Sequence, residues 1–405
     1  MSGLPVQSFG PGRSCAICNS SENRLLYRQS FSQLSNGISL LSGYDVVVCS
    51  KCGFCFADRI PEQSIFDAYY RDMSKYEKAE RGGQDTPYDQ ARFQKTANVI
   101  VSFLPSPHIR IFEIGCANGQ LLALLKNKGY KNVSGIDPSP VCAETARRHY
   151  DIQVTENTLS DVTIKDGAVD FLILAGVLEH VRELVPALQV LKKMLPLAGK
   201  IFITVPDASH YAEGEDAPFQ EFSLEHINFF GPDSLTNLML ANGFKLVSIM
   251  QDLISSNLGT TTPVIHGVFE KSENSAAAPL SIDTKSEAGL NLYINKSRQI
   301  DRHIQKAIER IVSAGQSIIV WGTGEHTLRL LATSALGRAK IRAFVDSNPR
   351  YQGKQLVDVS VISPQSLRNF SEPILISSRV YQEEIAVQIQ EQLRLKNKII
   401  KLYEI

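Results

Sequence analysis

The residues with the clearest chemistry are four cysteines in two pairs near the start of the 405-residue chain. Cys15 and Cys18 form one Cys-x-x-Cys pair, and Cys49 and Cys52 form a second pair after 30 intervening residues. Two such pairs can present four thiolates in a tetrahedron, which is the arrangement that Zn²⁺ prefers. The spacing therefore predicts a structural zinc site. The alternatives are an iron–sulfur centre and the use of Cys55 in place of one of the four ligands.

A second chemical pattern is the glycine-containing loop in the segment IRIFEIGCANGQ. Its apolar residues predict a buried strand, and Gly115 and Gly119 lie between this strand and a predicted helix. Glycines at this point let a ligand approach the backbone at the carboxyl end of the strand. Asp137 closes the next predicted strand, where its carboxylate can accept hydrogen bonds from both hydroxyls of a ribose. The pattern predicts a nucleoside-containing ligand, and dinucleotide binding is less favoured because the GxGxxG spacing is absent.

Three side chains are candidates for acid–base chemistry. His180 follows a later predicted strand, and Glu225 and His226 lie in the long stretch 207–231. Long loops at the carboxyl edge of a parallel sheet are common substrate-binding segments. Neighbouring side chains diverge by roughly 100° in a helix or 180° in a strand, so Glu225 and His226 do not easily face the same atom. We therefore expect one of them to act and the other to support it.

Strand and helix patterns that alternate along the chain must position these residues. From about residue 109, apolar β-rich segments alternate with amphipathic helical ones, which predicts a parallel α/β sheet. KLVSIMQ and TTPVIHGVFEK predict an antiparallel pair at its end, and a second alternation runs from SIIVWG to KIIKLYEI. The predicted boundaries are 1–62 for a zinc-binding module, 63–104 for a helical cover segment, 105–271 for the central domain, 272–288 for a linker and 289–405 for a C-terminal α/β domain with a long leading helix.

Composition limits the class of protein. Hydrophobic residues make up 43% of the chain and charged residues 21%, which is typical of globular proteins and excludes a disordered, collagen-like or coiled-coil chain. Lys and Arg number 42, and Asp and Glu also number 42, so overall charge gives no reason to bind nucleic acid or an anionic membrane. Apolar runs are too short for a membrane span, and the first residues lack the features of a signal peptide. We expect a cytoplasmic location.

The motif EIGCANG, Asp137 and the segment VDFLILAGVLEHV together resemble class I S-adenosylmethionine (SAM)-dependent methyltransferases over roughly residues 95–250. Ala117 stands where many members have glycine. The resemblance implies that Gly115 passes under the methionine moiety, that Asp137 holds the ribose and that Thr158 and Leu159 flank the adenine. The cofactor-binding residues that it implies are Glu113, Gly115, Cys116, Gly119, Asp137, Thr158, Leu159 and Ala175.

The segment FSLEHINFFGPDSL carries a second resemblance. A zinc module, a methyltransferase core, an EHxxxF segment and a second α/β domain occur together in sugar C-methyltransferases of deoxysugar pathways. Their Tyr-His-Glu-His motif, whose Tyr and His serve deprotonation and enolate stabilisation beside a keto group, reads Ser223-Leu224-Glu225-His226 here. The resemblance implies a small sugar-nucleotide or glycan-type acceptor, with His226 as base, Glu225 as its support and His180 near the acceptor.

Because the Tyr of this motif is absent here, the residues allow two reactions. C-methylation is slightly favoured, and O-methylation of a sugar hydroxyl is the alternative that the same residues allow. Tyr70, Tyr76 or Tyr211 could supply the hydroxyl that the motif lacks.

The C-terminal domain opens with a similar strand and glycine loop. Gly322 and Gly324 follow a predicted strand, and Asp346 closes the next one, so a nucleotide could bind there. Thr327 replaces the third glycine of the dinucleotide fingerprint, which makes NAD binding weakly supported. The resemblance implies a degenerate Rossmann unit that helps to hold the nucleotide of the sugar substrate, and the alternative is a structural or interface domain. The candidate substrate residues are Tyr76, Ser223, Gly322, Gly324 and Asp346.

The sequence thus predicts a Rossmann-like class I methyltransferase sheet with a small N-terminal zinc module and a second Rossmann-like domain. The expected cofactors are SAM and Zn²⁺, and the expected partner is a small-molecule acceptor. Alternatives of another class are a zinc-module methyltransferase of nucleic acid and a non-catalytic SAM-binding protein. Neutral charge and the lack of a basic or aromatic run argue against nucleic acid. Nothing in the sequence indicates the oligomeric state.

Overall fold

The computed structural model describes residues 12–35, 40–72, 87–255, 259–273 and 280–403. In these ranges the strands form three sheets, and no helix is both long and apolar enough to cross a membrane. The strands are β1 (Asn23–Ser30), β2 (Leu34–Ser35), β3 (Gly43–Cys49), β4 (Cys55–Asp58), β5 (Ile111–Ile114), β6 (Val133–Asp137), β7 (Gln153–Glu156), β8 (Phe171–Ala175), β9 (Lys200–Pro206), β10 (Asn228–Phe229), β11 (Phe244–Ser255), β12 (Thr261–Lys271), β13 (Ile318–Trp321), β14 (Ile341–Val345), β15 (Gln355–Leu356), β16 (Val359–Ile362), β17 (Ile374–Ile376) and β18 (Ile399–Lys401).

Helices cover the sheets and connect their strands. The helices are α1 (Gln63–Asp72), α2 (Pro87–Val101), α3 (Gln120–Asn127), α4 (Pro140–Tyr150), α5 (Leu184–Met194), α6 (Pro232–Ala241), α7 (Thr284–Ser313), α8 (Glu325–Thr333) and α9 (Gln382–Val387). Short 3₁₀ turns lie between several of them, including Leu178–His180 directly after β8.

The central sheet has the order β11-β12-β9-β8-β5-β6-β7. Strands β5 to β9 pair in parallel, and β12 pairs antiparallel with both β9 and β11. Side chains of the inner strands β5 and β8 are mostly buried, as helices on both faces of a parallel sheet require. The Rossmann-like α/β fold predicted for this region is confirmed, and the carboxyl ends of β5, β6 and β8 lie at one edge.

The C-terminal sheet has the order β18-β17-β13-β14-β16-β15-β2. Its strands from β18 to β16 pair in parallel, so the second α/β unit is confirmed as well. Trp321 is 2% exposed and packs with Ile319 and Ile376 in the core of this domain.

The N-terminal module exchanges strands with the other two domains. Its sheet has the order β1-β3-β4-β10, and β10 comes from the stretch 207–231 of the central domain. Conversely, β2 of the module pairs with β15 at the edge of the C-terminal sheet. One hydrophobic cluster, with members such as Val46, Phe222 and Val320, joins all three parts. The stretch that carries His226 is therefore held on several sides.

The start of helix α7 corrects one predicted boundary. The helix begins at Thr284, so the predicted linker 272–288 is wrong at its C-terminal end. The cause is a cap, because the side chain of Asp283 accepts a hydrogen bond of 2.9 Å from the Ser286 amide. The Asp283 amide in turn donates to the Cys52 carbonyl at 2.9 Å, which ties the helix start to the second cysteine pair.

Candidate functional site

The two Cys-x-x-Cys pairs form turns of the same shape. Each second cysteine is followed by a residue in the left-handed region, Asn19 with φ of 56° and Gly53 with φ of 79°. The four sulfurs lie within 4.8 Å of one another, and the separations are 3.4 Å between Cys15 and Cys52 and between Cys18 and Cys49. Sulfurs around one zinc ion lie about 3.8 Å apart, so this donor set is compatible with zinc.

Cys55 takes no part in this cluster. Its buried thiol points to the Gly53 carbonyl oxygen at 3.5 Å and packs in the hydrophobic cluster on the other face of the module sheet. Strand alternation explains the difference, because Cys55 pairs with Val48 of β3, whereas Cys49 is the next residue of β3 and faces the other side of the sheet. Of the three cysteines in the CxxCxxC run, Cys55 is the spare one.

The glycine loop after β5 is built around Asp137. The Asp137 carboxylate accepts hydrogen bonds from the Ala117 amide at 2.8 Å and from the Ser139 amide at 2.9 Å. Gly115 has φ of 65° and Gly119 has φ of 75°, and a Cβ at Gly119 would lie 2.9 Å from the Ala146 Cβ. The loop therefore needs glycine both for its backbone conformation and for contact with α4. Burial raises the pKa of Asp137 to about 6, although the two amides oppose this shift.

A cavity of about 520 Å³ lies against this edge of the central sheet, and we call it the strand-end cavity. Gly115, Asp137, Thr158 and Leu159 line it, as the resemblance to SAM-binding proteins implied. Helix α1 closes it from the other side with Gln63, Ser64, Asp67 and Tyr70. Gln63, Ser64 and Asp67 were missed from the sequence because no motif marks the helix, which was predicted only as a cover segment, and Tyr70 was named only as a possible source of a hydroxyl.

The other residues implied for cofactor binding lie elsewhere. Cys116 is buried, Gly119 precedes α3, and Ala175 lines the neighbouring cavity rather than this one. Glu113 is buried, and its Oε2 has no hydrogen-bond partner among the described residues. Burial, with a further contribution from the charge of Asp137, raises the pKa of Glu113 to about 8.

A second cavity of about 720 Å³ lies between the central and C-terminal domains, and we call it the interdomain cavity. Gly176, His180 and Glu225 line both cavities and form the wall that they share. Central-domain residues that line the interdomain cavity include Glu179, Glu221, Ser223 and His226. The C-terminal domain contributes Gly324, Asn348, Arg350, Tyr351 and Tyr381.

The three predicted acid–base residues meet at the shared wall. The rings of His180 and His226 are 5.1 Å apart in an edge-to-face arrangement. Nδ1 of His180 lies 3.0 Å from the Glu225 carbonyl oxygen and 3.0 Å from the Tyr70 hydroxyl. The Glu225 carboxylate accepts a hydrogen bond of 3.3 Å from the Tyr69 hydroxyl. The fold brings these three predicted residues together, and their contacts with α1 could not be read from the sequence.

Ser223 orients this wall. Its hydroxyl oxygen accepts hydrogen bonds from the Glu225 amide at 3.2 Å and the His226 amide at 3.0 Å. The backbone turn thereby directs the Glu225 and His226 side chains differently, as their adjacency in sequence predicts. Ser223 thus positions the two neighbouring side chains.

Buried carboxyl groups surround His226. Glu221 Oε2 lies 3.9 Å from His226 Nδ1. Burial, with contributions from the charges of Asp216 and Glu179, raises the pKa of Glu221 to about 8, so this side chain is mostly protonated at neutral pH. Burial also raises the pKa of Asp216. A protonated Glu221 can therefore exchange a proton at this end of the interdomain cavity.

The C-terminal glycine loop presents only part of its predicted residues to the interdomain cavity. Gly324 lines the cavity, whereas Gly322 and Asp346 do not. Asp346 holds the loop instead, because it accepts hydrogen bonds from the Thr323 amide at 3.0 Å and hydroxyl at 2.6 Å. Tyr76, the remaining predicted substrate residue, lies outside the described residues.

Comparison with known proteins identifies the central region. Residues 68–249 match the family model for a methyltransferase domain, and residues 315–400 match the model named C2185-like, N-terminal. No curated protein matched the chain. The sheet topology, the strand-end loop and the methyltransferase match together assign the class I SAM-dependent methyltransferase fold to the central region of the chain.

Solved structures with a similar fold include several methyltransferases. The 1,6-didemethyltoxoflavin-N1-methyltransferase of Burkholderia thailandensis, solved with S-adenosylhomocysteine, is 14% identical, with 56% of this chain and 98% of that chain covered and a TM-score of 0.40. A SAM-dependent methyltransferase of Thermotoga maritima, described as a possible histamine N-methyltransferase, is 19% identical, with 52% and 100% covered and a TM-score of 0.38.

Proposed function

We propose that the chain methylates a small acceptor of the sugar-nucleotide or glycan type, bound in the interdomain cavity, with SAM in the strand-end cavity. The observation that carries the proposal is the shared wall of Gly176, His180 and Glu225. A methyl group must pass directly from donor to acceptor, so two adjoining cavities with acid–base residues between them suit this reaction. SAM, when bound, supplies a methyl group on a positively charged sulfur.

The far wall of the interdomain cavity favours a nucleotide sugar over other acceptors. A cavity of about 720 Å³ is within the usual size range for small-molecule sites. Arg350 offers a guanidinium for phosphate oxygens, and Tyr351 and Tyr381 offer aromatic rings beside it. The sugar end would then face His226 and the methyl donor, while the nucleotide contacts the C-terminal domain.

The chain's own residues can handle the proton. His226 takes it from the reacting carbon or hydroxyl, the Glu225 carboxylate supports the developing positive charge, and His180 lies near the acceptor on the shared wall. A hydroxyl for an enolate oxygen can come from Tyr69, which lines the interdomain cavity, or from Tyr70, which contacts His180. Tyr211 is buried and lines neither cavity. Because Tyr69 or Tyr70 can supply this hydroxyl, C-methylation stays slightly favoured over O-methylation.

An exchange experiment separates the two reactions. The enzyme is incubated with a keto-sugar nucleotide in deuterated water, with and without SAM, and label at the carbon beside the ketone is measured by NMR. A C-methyltransferase must break this carbon–hydrogen bond, so enzyme-dependent exchange or a methylated carbon is expected. A methoxy signal in the product would establish O-methylation instead. Cofactor turnover on any acceptor would exclude a non-catalytic SAM-binding protein.

For the cysteine cluster we propose one structural zinc ion bound by Cys15, Cys18, Cys49 and Cys52. The module has only a small sheet, and one of its strands comes from the central domain. Metal binding would therefore contribute free energy to its folding. Changing Cys15 to Ser should lower the yield of folded protein and the zinc content, whereas Cys55→Ser should keep one zinc per chain. Elemental analysis that finds no stoichiometric zinc in the wild type would contradict the assignment.

A further inference from the structure

Three metal-ligating side chains lie together on the wall of the interdomain cavity. Glu179 and His180 belong to the 3₁₀ turn after β8, and His226 comes from the stretch 207–231. One donor atom of each lies within 4.8 Å of the other two. Two imidazoles and one carboxylate are a donor set used by divalent transition-metal ions, and this set leaves coordination positions open for a substrate.

Hydrogen bonds already orient His180 as a metal ligand would be oriented. Its Nδ1 lies 3.0 Å from the Glu225 carbonyl oxygen, which can only accept a hydrogen bond. This contact favours a proton on Nδ1 and leaves Nε2 as the donor atom, 3.8 Å from Glu179 Oε1. Metal-binding histidines characteristically give their second ring N–H to a backbone carbonyl or a carboxylate. The surroundings of His180 match this pattern.

Distances and charge also suit an ion. Ligands held about 2.1 Å from one tetrahedral ion lie about 3.4 Å apart, so small side-chain rotations would bring the donors to bonding distance. The Glu179 side chain is only 4% exposed, and the carboxyl group of Glu221 is close enough to interact with it. A cation would offset the cost of keeping these groups buried together.

We propose that Glu179, His180 and His226 bind one divalent transition-metal ion, which contacts an oxygen of the acceptor; this inference rests on the proposed function. The ion withdraws electron density from the acceptor oxygen. The hydroxyl, or the carbon beside a carbonyl, then releases its proton to the Glu225 carboxylate and takes the methyl group. The carbon–sulfur electron pair stays on sulfur, and the ion keeps its charge. His226 is then a ligand, and Glu225 is the proton acceptor.

Manganese titration of the full-length protein tests this site. Mn²⁺ prefers oxygen and nitrogen donors over thiolates, so it reports on this cluster while zinc occupies the cysteines. Electron paramagnetic resonance should show one bound Mn²⁺ per chain. Glu179→Gln should weaken Mn²⁺ binding at least about tenfold because it removes a charged ligand. Glu325→Gln, which changes another carboxylate of the same cavity, should keep wild-type Mn²⁺ affinity.

His226→Gln provides a second variant if Glu179→Gln does not fold, and it should lower Mn²⁺ affinity to a similar degree. Absence of Mn²⁺ binding by the wild type, or equal binding by the wild type and a folded ligand variant, would overturn the inference. SAM affinity and turnover are measured separately. If protein that holds no metal besides zinc turns over a sugar nucleotide, the inference of a second metal ion is wrong and the proposed function is supported. Mn²⁺ binding with the expected losses, but no turnover of any sugar nucleotide, would support the ion and contradict the acceptor.

Discussion

The central and C-terminal domains each contain a strand, a glycine loop and a helix, and in both an aspartate from the neighbouring strand accepts hydrogen bonds from the loop. Among the described residues, Asp137 accepts one bond from its loop, from the Ala117 amide, and a second from the Ser139 amide two residues on. Asp346 accepts two bonds from its loop, from the Thr323 amide and hydroxyl, and a third from the Asn348 amide. A carboxylate can accept about four hydrogen bonds, so Asp137 keeps capacity for two hydroxyls and Asp346 for one.

The positions of Asp137 and Asp346 relative to the two cavities also differ. Asp137 lines the strand-end cavity, whereas Asp346 lines neither cavity and contributes through the loop that it holds. We therefore propose different roles for two loops that look alike in sequence. The central loop would bind a ribose, and the C-terminal loop would form part of the wall of the interdomain cavity through Thr323 and Gly324. Chemistry would lie between the two loops, at the wall that both cavities share.

The largest effect is expected beside that wall. His226→Ala should lower turnover by about 100-fold or more, whether His226 accepts the proton or binds the proposed ion, and should leave SAM affinity nearly unchanged. Steady-state kinetics and calorimetry measure the two quantities. The control is His303→Ala, which changes an exposed histidine on α7. A near-normal rate for His226→Ala would reduce this residue to a structural role and place the chemistry elsewhere.

The next prediction tests the two aspartates against each other. Asp137→Ala should weaken SAM binding at least about tenfold, because each charge-assisted hydrogen bond to the ribose contributes roughly 1.5–3 kcal/mol. Asp346→Ala should change SAM affinity by less than about twofold, since its loop belongs to the other cavity. Calorimetric titration with SAM checks both variants. Equal losses would show that the loops do not divide the ligands in this way.

Local sequence patterns explain which parts of this site could be predicted from the sequence. Gly115 and Asp137 belong to a local strand-loop pattern, Thr158 and Leu159 were implied by the family resemblance, and all four line the strand-end cavity. The contribution of α1 was missed because contact between Tyr70 and His180 joins residues far apart in the chain. No local pattern announces such a contact.

Strand exchange between domains was hidden for the same reason. The two-residue strands β2 and β10 are too short for a period-2 pattern, and each pairs with a partner in another domain. The start of α7 was missed for a different reason, because the small polar residues before it are typical of linkers. The Asp283 cap and the burial of Ser286 make that segment the first turn of a helix.

The pH dependence of cofactor binding gives a further test of Asp137. Its pKa is raised by burial to about 6, and only the ionised carboxylate can accept hydrogen bonds from both ribose hydroxyls. SAM affinity should therefore be highest above pH 6 and fall as the pH drops, by about fivefold between pH 6 and pH 5. His180 also lines the strand-end cavity, so Asp137→Asn is the necessary control and should lack this fall. Calorimetry at several pH values measures it, and a flat wild-type profile would contradict the role of Asp137.

The smallest expected effect sharpens the comparison at the level of backbone conformation. Ala117 has φ of 46°, a left-handed conformation that costs an alanine roughly 1–2 kcal/mol. Glycine would avoid this cost, but about 0.5–1 kcal/mol would be lost because glycine has greater conformational freedom in the unfolded chain. Ala117→Gly should therefore raise the free energy of unfolding by about 0.5–1 kcal/mol, as measured by denaturant titration. Gly322→Ala in the C-terminal loop should do the opposite, because Gly322 has φ of 111° and a Cβ there would lie 2.9 Å from the Ser377 hydroxyl oxygen. Stabilisation by both changes, or by neither, would mean that the two loops do not store backbone strain at these positions.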